Sequence, residues 1–512
     1  MLIVYLGPAG CRVGYTLYTF MYNAIEKGLL SADRVDGVFF DRLCAPKCVF
    51  ASASDRVVDG YKDVPWTKLS RTIMRHRVGK AKASPETKPR LHPVRKPCLV
   101  TTGGVGDTPQ VGEKEQVWDS FVQQYCTDME GTFDTRYIAE WHDRDVVPVS
   151  MTDPGKTEET VGRQAKGGAQ RFRDGGVFRT ARSLWLTGVL LAMHNALALD
   201  QVEVDGVLVV TGTSDLEGLV MPILSKTIRS GCFASSLLPS LSPLVTLALP
   251  MRLCLSPPLS VMGAACTLAS MLRSSDAVLM HHPEGPLPQR LPHTLFSQPT
   301  RDALVVKEDT VRSAMLILTL CGSDGLGEDS PAPSGCLGEL LTSLSLSPHA
   351  AGLSPCPPLT LVQLGVGEAE RGGMRGFISG MARRAAQLQQ VPASYASLVL
   401  RSDEGERWAA DVSKWAGQGL KAGGYRCLDI RTSGNLLKEP PIPVLGATAV
   451  LLTQGEGTAL YLREIAERSL LIAQSSAYAH IIGRKGWQFL EICTDSLRRT
   501  SAACIAFTQA PS

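Results

Sequence analysis

The chain has 512 residues, 44% hydrophobic and 20% charged, with a formal net charge of +3. That length exceeds what one core organises, so two or three domains are expected, and the composition is that of a soluble globular protein. The weak net charge selects no partner class. The 14 cysteines are scattered, several of them inside apolar runs (Cys254, Cys266, Cys321), which reads as buried thiols in a reducing compartment and excludes a dense disulfide framework.

In chain order, the first expected strand is the apolar run at 2–6, followed by "GPAGCRVG" at 7–14 and a helix. No basic leader or cleavage site precedes that strand, so no signal peptide is expected. A second strand is expected at 38–40, closed by Asp41. Cys44 and Cys48 form one C-x3-C pair with no second pair to complete a zinc site. The basic, Pro-bearing segment 71–96 has Glu86 as its one acid. No aromatic residues interleave with its charges to stack bases, so it is expected as a solvated insertion loop and not as a nucleic-acid site. Further strands are expected at 98–100, 207–210, 244–249 and 277–280. The most apolar helix is expected over 183–199; with His194 and Asn195 inside it, it is too short and too polar to span a bilayer. A Ser/Leu/Pro-rich stretch at 232–258 should break into strand and loop pieces.

A helix over 310–320 joins this half to the next. After the turn-rich "SDGLGEDSPAPSG" at 323–335 come strand candidates at 361–364, 397–400, 427–430 and 448–452, then closing helices at 459–474 and 487–504. Apolar strands alternating with helices predict an α/β fold: a mostly parallel, doubly wound sheet covered on both faces. The domain layout expected is 1–322 for a nucleotide-binding unit ending in the connecting helix, 323–455 for a second α/β domain, and 456–512 for the closing helices.

The opening turn, with Gly7, Gly10 and Gly14, is not G-x-G-x-x-G, and no G-x-x-x-x-G-K-[ST] occurs. A tight strand-to-helix turn needs glycine for packing alone. Two further loops join it: "GGAQRFRDGG" at 167–176, before the long apolar helix, and "VVTGTSDLEGL" at 209–219, after a strong strand. Three such turns on one edge of a parallel sheet are expected to converge, with backbone N–H groups facing an anion.

The order and spacing of these loops resemble the tubulin superfamily. Gly7, Gly10 and Gly14 fall where that family has G-x-C-G-N-Q-x-G. The 167–175 loop is similar to its G-x-G-N-N-W-A-x-G, with Gln170, Arg171 and Phe172 in place of Asn, Asn and Trp. Gly212, Thr213, Ser214, Asp215, Leu216, Glu217 and Gly218 stand in for G-T-G-S-G-x-G. Within the superfamily the delta-tubulin class is most similar. "CTLASMLRSSDAVLMHH" (266–282), "CLGELL" (336–341), "ASLVLRSDEG" (396–405) and "SSAYAH" (475–480) resemble its stretches in the same order. The likeness is collinear over most of the chain and fails over 57–96 and 118–166, which read as insertions.

The resemblance implies a GTP site with magnesium, held by Gly7, Pro8, Ala9, Gly10, Arg12, Gly168, Gln170, Gly212, Thr213 and Ser214. It implies Glu339, in "CLGELL", as the acid that orients water at the γ-phosphate of a neighbouring subunit's nucleotide; a first-turn Glu favoured by the helix dipole is the simpler reading. The implied partners are alpha/beta tubulin or other tubulins in a microtubule lattice. The implied location is the cytoplasmic cytoskeleton, at centrioles, basal bodies, cilia or flagella.

The departures point to weak nucleotide binding. Ser214, Asp215 and Leu216 replace residues that include two family glycines, and Asp215 sets a negative charge beside a polyphosphate. Pro8 lacks an N–H, while Arg12 stands where a Gln is usual. The family's acid-bearing segment after the third strand reads Val100-Thr101-Thr102-Gly103-Gly104. Positions similar to its base-reading residues are Pro283, Lys307 and Val311. The expectation is therefore a structural tubulin with an eroded GTP site. Two alternatives stand beside it: a pseudo-GTPase interaction module of the same fold, and a Rossmann-type enzyme, for which an intact glycine fingerprint and an acid–base set are missing.

Overall fold

The computed structural model describes residues 2–30, 32, 47–52, 56–83, 97–101, 104–106, 189, 193, 204, 206–215, 217–218, 221–229, 238, 242–251, 258–281, 308–321, 359–366, 375–376, 379, 395–401, 414, 418, 427–429, 448–454, 456–475 and 479–509. The first half runs β1 (Leu2–Leu6), α1 (Gly7–Glu26), β2 (Lys47–Ala51), α2 (Arg56–Asp63), α3 (Trp66–Ala83), β3 (Cys98–Thr101), β4 (Gly104–Gly106), β5 (Val207–Gly212), α4 (Met221–Arg229), β6 (Leu244–Leu249), α5 (Pro258–Ser274) and β7 (Ala277–His281). The remainder is α6 (Glu308–Cys321), β8 (Leu359–Val366), β9 (Tyr395–Arg401), β10 (Cys427–Asp429), β11 (Thr448–Gln454), α7 (Glu456–Gln474) and α8 (Ala479–Gln509).

The strands form one sheet in the order β10-β9-β11-β8-β7-β6-β5-β1-β2-β3-β4. From β3 to β7 every neighbouring pair is parallel. The order 3-2-1-5-6-7 reverses between β1 and β5, which is the doubly wound, Rossmann-like arrangement. β1, β5, β6 and β7 are buried almost throughout because both faces are covered. In β1, Ile3 and Tyr5 point into one core with α1, α3 and α6, while Leu2, Val4 and Leu6 point into the other with α4, α5, α7 and α8. The alternation continues in β5, where Leu208 and Val210 join the first core and Val207 and Val209 the second.

The strands expected as a second domain do not form a sheet of their own. β8 pairs in parallel with β7 from Val278↔Leu359 to His281↔Val362, so the first sheet simply continues. β11 lies antiparallel to both β8 and β9. The closing helices return to the first half and pack on α5, where Ser469 Oγ donates to the Val261 carbonyl at 3.2 Å; they are joined to each other where Ser501 Oγ donates to the Ala459 carbonyl at 2.7 Å.

The strand beside β1 is Lys47–Ala51, register Leu2↔Lys47 to Leu6↔Ala51; the expected strand at 38–40 lies outside the described residues, as does Asp41. One expectation for the N-terminal half is corrected. The basic segment is not an irregular loop at its start. It is helical through Ala83, and α2 and α3 belong to the core. Tyr61, Trp66, Leu69 and Ile73 are buried with Tyr18 and Phe50; the Tyr18 and Trp66 rings sit 4.9 Å apart, and Trp66 Nε1 donates to the Tyr61 carbonyl at 2.7 Å. Lys68, Arg71 and Arg75 take the exposed face of α3. A helix with an apolar stripe on one side and cations on the other satisfies both packing and solvation. No helix among the described residues is long and apolar enough to cross a membrane.

Candidate functional site

In a doubly wound sheet the crevice lies past the carboxyl ends of the strands, at the reversal point. Here that is the space between the turn after β1 and the turn after β5. No extended turn follows β1: the backbone passes from Leu6 straight into α1 at Gly7. Gly7 has φ +77°, a left-handed conformation that L side chains rarely adopt. Leu6 gives α1 no side-chain cap, and its first turn has no acid. Pro8 has no N–H to satisfy, so its place at the start of the helix is harmless. The N–H groups of Ala9 and Gly10 still need acceptors.

Asp215 supplies them from the other turn. The Ala9 N–H donates to Asp215 Oδ2 at 2.8 Å, and the Gly212 N–H to the same oxygen at 3.2 Å. The Gly10 N–H also favours the ionised form of this carboxylate. Burial pushes the Asp215 carboxyl above its ordinary range; the N–H groups of Ala9 and Gly212, then the charge of Arg12, pull the other way. The acid is fixed in place. Its own N–H donates to the Gly212 carbonyl at 3.1 Å, and its carbonyl accepts from the Gly218 N–H at 3.1 Å and from Thr267 Oγ1 at 3.4 Å.

The neighbouring expected ligands are engaged elsewhere. Thr213 is fully buried, and its hydroxyl accepts from the Met251 N–H at 3.1 Å. The Tyr461 hydroxyl donates to the Met251 carbonyl at 3.4 Å, and burial pushes its pKa up to about 12. The exposed Arg12 turns back on its own helix, its Nε donating to the Pro8 carbonyl at 3.2 Å. Ser214 is half-buried. Val311, at a position similar to a base-reading residue, is buried in α6 against the first core.

A second acid was not anticipated as part of the site. Glu217 is 5% exposed and accepts from Ser52 Oγ, at the carboxyl end of β2, at 3.0 Å. Burial, then the charge of Glu217, pushes the Cys11 thiol well up. After β3 the chain turns back into β4, pairing Thr101 with Gly104 in an antiparallel hairpin. The described part of the crevice thus carries two buried carboxylates. Among the described residues no cluster of three His, Cys, Asp or Glu side chains is arranged to hold a metal. Cys48, one of the C-x3-C pair, spends its sulfur on the Tyr18 hydroxyl at 2.9 Å within the core.

Of the expected site residues, the structure brings Gly7, Pro8, Ala9, Gly10 and Arg12 together with Gly212, Thr213 and Ser214. Gly168, Gln170 and Glu339 lie outside the described residues, as do Pro283 and Lys307. The residues present do not fit a magnesium–triphosphate group. The N–H donors that would meet a phosphate are taken by Asp215, and the carboxylates nearby repel one. Among known proteins, no family model and no curated sequence matches the chain.

Proposed function

We propose that this chain is a delta-tubulin-like structural component of the microtubule cytoskeleton, acting at centrioles or basal bodies in the assembly of cilia or flagella, with a GTP site that is degenerate. The collinear tubulin-like segments and the doubly wound order with two loops at its reversal point support the reading. The observation that carries its structural rather than catalytic side is the Asp215 carboxylate on the Ala9 and Gly212 N–H groups. That same contact favours the second reading, a pseudo-GTPase module of the same fold that binds partners without nucleotide. At most a weak GTPase activity is expected, with Glu339 as its acid.

The partners are alpha/beta tubulin or other tubulins, met through the Glu339 face, and the chain does not polymerise alone. Sedimentation of the purified protein with GTP, alone and with alpha/beta tubulin, tests this. Co-sedimentation that Glu339→Arg weakens is the expected result. Filaments of the protein alone, or binding unchanged in Glu339→Arg, would contradict it.

A further inference from the structure

We propose that Asp215 is the resident anion of this crevice: its carboxylate takes the place of a phosphate at the start of α1 and closes the site to phosphate from within. The proposal deepens the reading of a degenerate phosphate site but does not depend on the cytoskeletal role. It rests on three independent features of the geometry.

The first is chemical equivalence. A phosphate at the head of a parallel-sheet crevice is held by backbone N–H groups from a helix start and an adjoining turn. Asp215 Oδ2 receives both kinds, from Ala9 on α1 at 2.8 Å and from Gly212 at the end of β5 at 3.2 Å. A helix start without a cap of its own needs such an acceptor, and α1 finds no local one.

The second is space. A Cβ placed on Gly7 would come within 2.7 Å of Asp215 Cβ and Oδ2, and one on Gly212 within 2.9 Å of Oδ2. Both glycines are pressed against the carboxylate, so their lack of side chains makes room for Asp215. The Asp215 carboxylate lies against both of them.

The third is anchorage. Asp215 does not hang from a loose loop that swings aside. Besides its own backbone contacts, the turn is tied to the β6 end, where the Thr213 N–H donates to the Leu249 carbonyl at 2.9 Å and the Met251 N–H to Thr213 Oγ1 at 3.1 Å. The bonds on both sides of Asp215 would have to break before an external anion entered. The carboxylate is therefore a permanent cross-link between the two turns.

The test is thermal denaturation of the full chain at pH 7.5, titrated with inorganic pyrophosphate and, in a second arm, with GTP. Wild type should show no change in Tm in either arm. Asp215→Gly should melt lower without anion and recover with increasing pyrophosphate, because the vacated N–H groups then have an external acceptor; at least a tenfold gain in pyrophosphate affinity over wild type is expected. If Asp215→Gly is recovered only as aggregate, Asp215→Ser carries the same test, since its shorter hydroxyl side chain vacates most of the position without leaving it bare. A wild-type Tm that rises with pyrophosphate or GTP as much as the variant's, or a soluble variant that responds to neither, would overturn the proposal.

Discussion

The turn after β1 and the turn after β5 face each other across the reversal point, yet they differ in what their residues do. The β1 turn is shaped by packing. A Cβ on Gly10 would lie 2.1 Å from the Val210 carbonyl oxygen, and one on Gly14 would lie 2.3 Å from the Phe50 ring. These glycines let α1 lie directly on β5 and β2, with or without a ligand. The β5 turn is shaped by charge: Asp215 serves the opposite helix and Glu217 serves Ser52. A glycine pattern that resembles a phosphate loop is thus explained on one side by helix–sheet contact and on the other by an internal carboxylate. Packing accounts for the glycines of the one turn, and Asp215 occupies the N–H donors at the start of α1.

That contrast is sharpest at Gly10. Gly10→Ala drives a methyl into backbone that cannot yield, and a loss of about 3 kcal/mol or failure to fold is expected from overpacking; urea denaturation reads it. A variant as stable as wild type would break the packing explanation. Ser52→Ala removes a buried hydrogen bond to a carboxylate and should lower stability by about 2 kcal/mol in the same measurement. A change within error would show that Glu217 needs nothing from β2.

Gly28 gives a reference outside the crevice. It ends α1 with φ +69°, the Leu29 N–H reaching the Ala24 carbonyl at 2.8 Å and the Gly28 N–H the Ile25 carbonyl at 3.0 Å, and a Cβ there meets nothing within 4 Å. Gly28→Ala should therefore lose only the backbone preference, about 1 kcal/mol. A loss equal to that of Gly10→Ala would mean that steric contact is not what separates the two positions.

The smallest effect is in the pH profile. Burial raises the Asp215 pKa in the folded chain above its ordinary 3.8. The folded state then binds more protons than the unfolded state between those two values, so stability falls as pH rises through that window. The pH-dependent part of its contribution is fully present below 3.8 and is lost as pH climbs through the raised folded value, while the N–H bonds to the ionised carboxylate remain. Asp215→Asn removes the titration, so the urea midpoint difference between variant and wild type should shift in the variant's favour from pH 4 towards neutrality. A difference that is flat, or of opposite sign, would show that the N–H groups outweigh burial.

Much of the sheet is legible in the sequence because buried parallel strands are continuous apolar runs: 244–249 is β6, and β1, β3, β5 and β7 lie where their runs place them. β2 is not legible. Its sequence, Lys47-Cys48-Val49-Phe50-Ala51, is no more strand-like than the Val-Phe-Phe run at 38–40, and only its position between β1 and β3 selects it. The direction of β11 is equally invisible, since an apolar run carries no sign. In α3 the cations hide the buried stripe at Trp66, Leu69 and Ile73, whose spacing is nonetheless helical. At the crevice the charge of Asp215 is readable, but its role is not. The one local hint is the absence of Ser, Thr, Asp or Asn immediately before α1, which leaves a helix start to be capped from a distance.

Nucleotide content is the most direct test of a crevice filled by its own carboxylate. Full-length protein purified without added nucleotide, heat-denatured and resolved by ion-exchange chromatography, should release guanine nucleotide far below one equivalent per chain. Release of close to one equivalent of GTP or GDP from wild type would contradict the assignment of Asp215 as the resident anion.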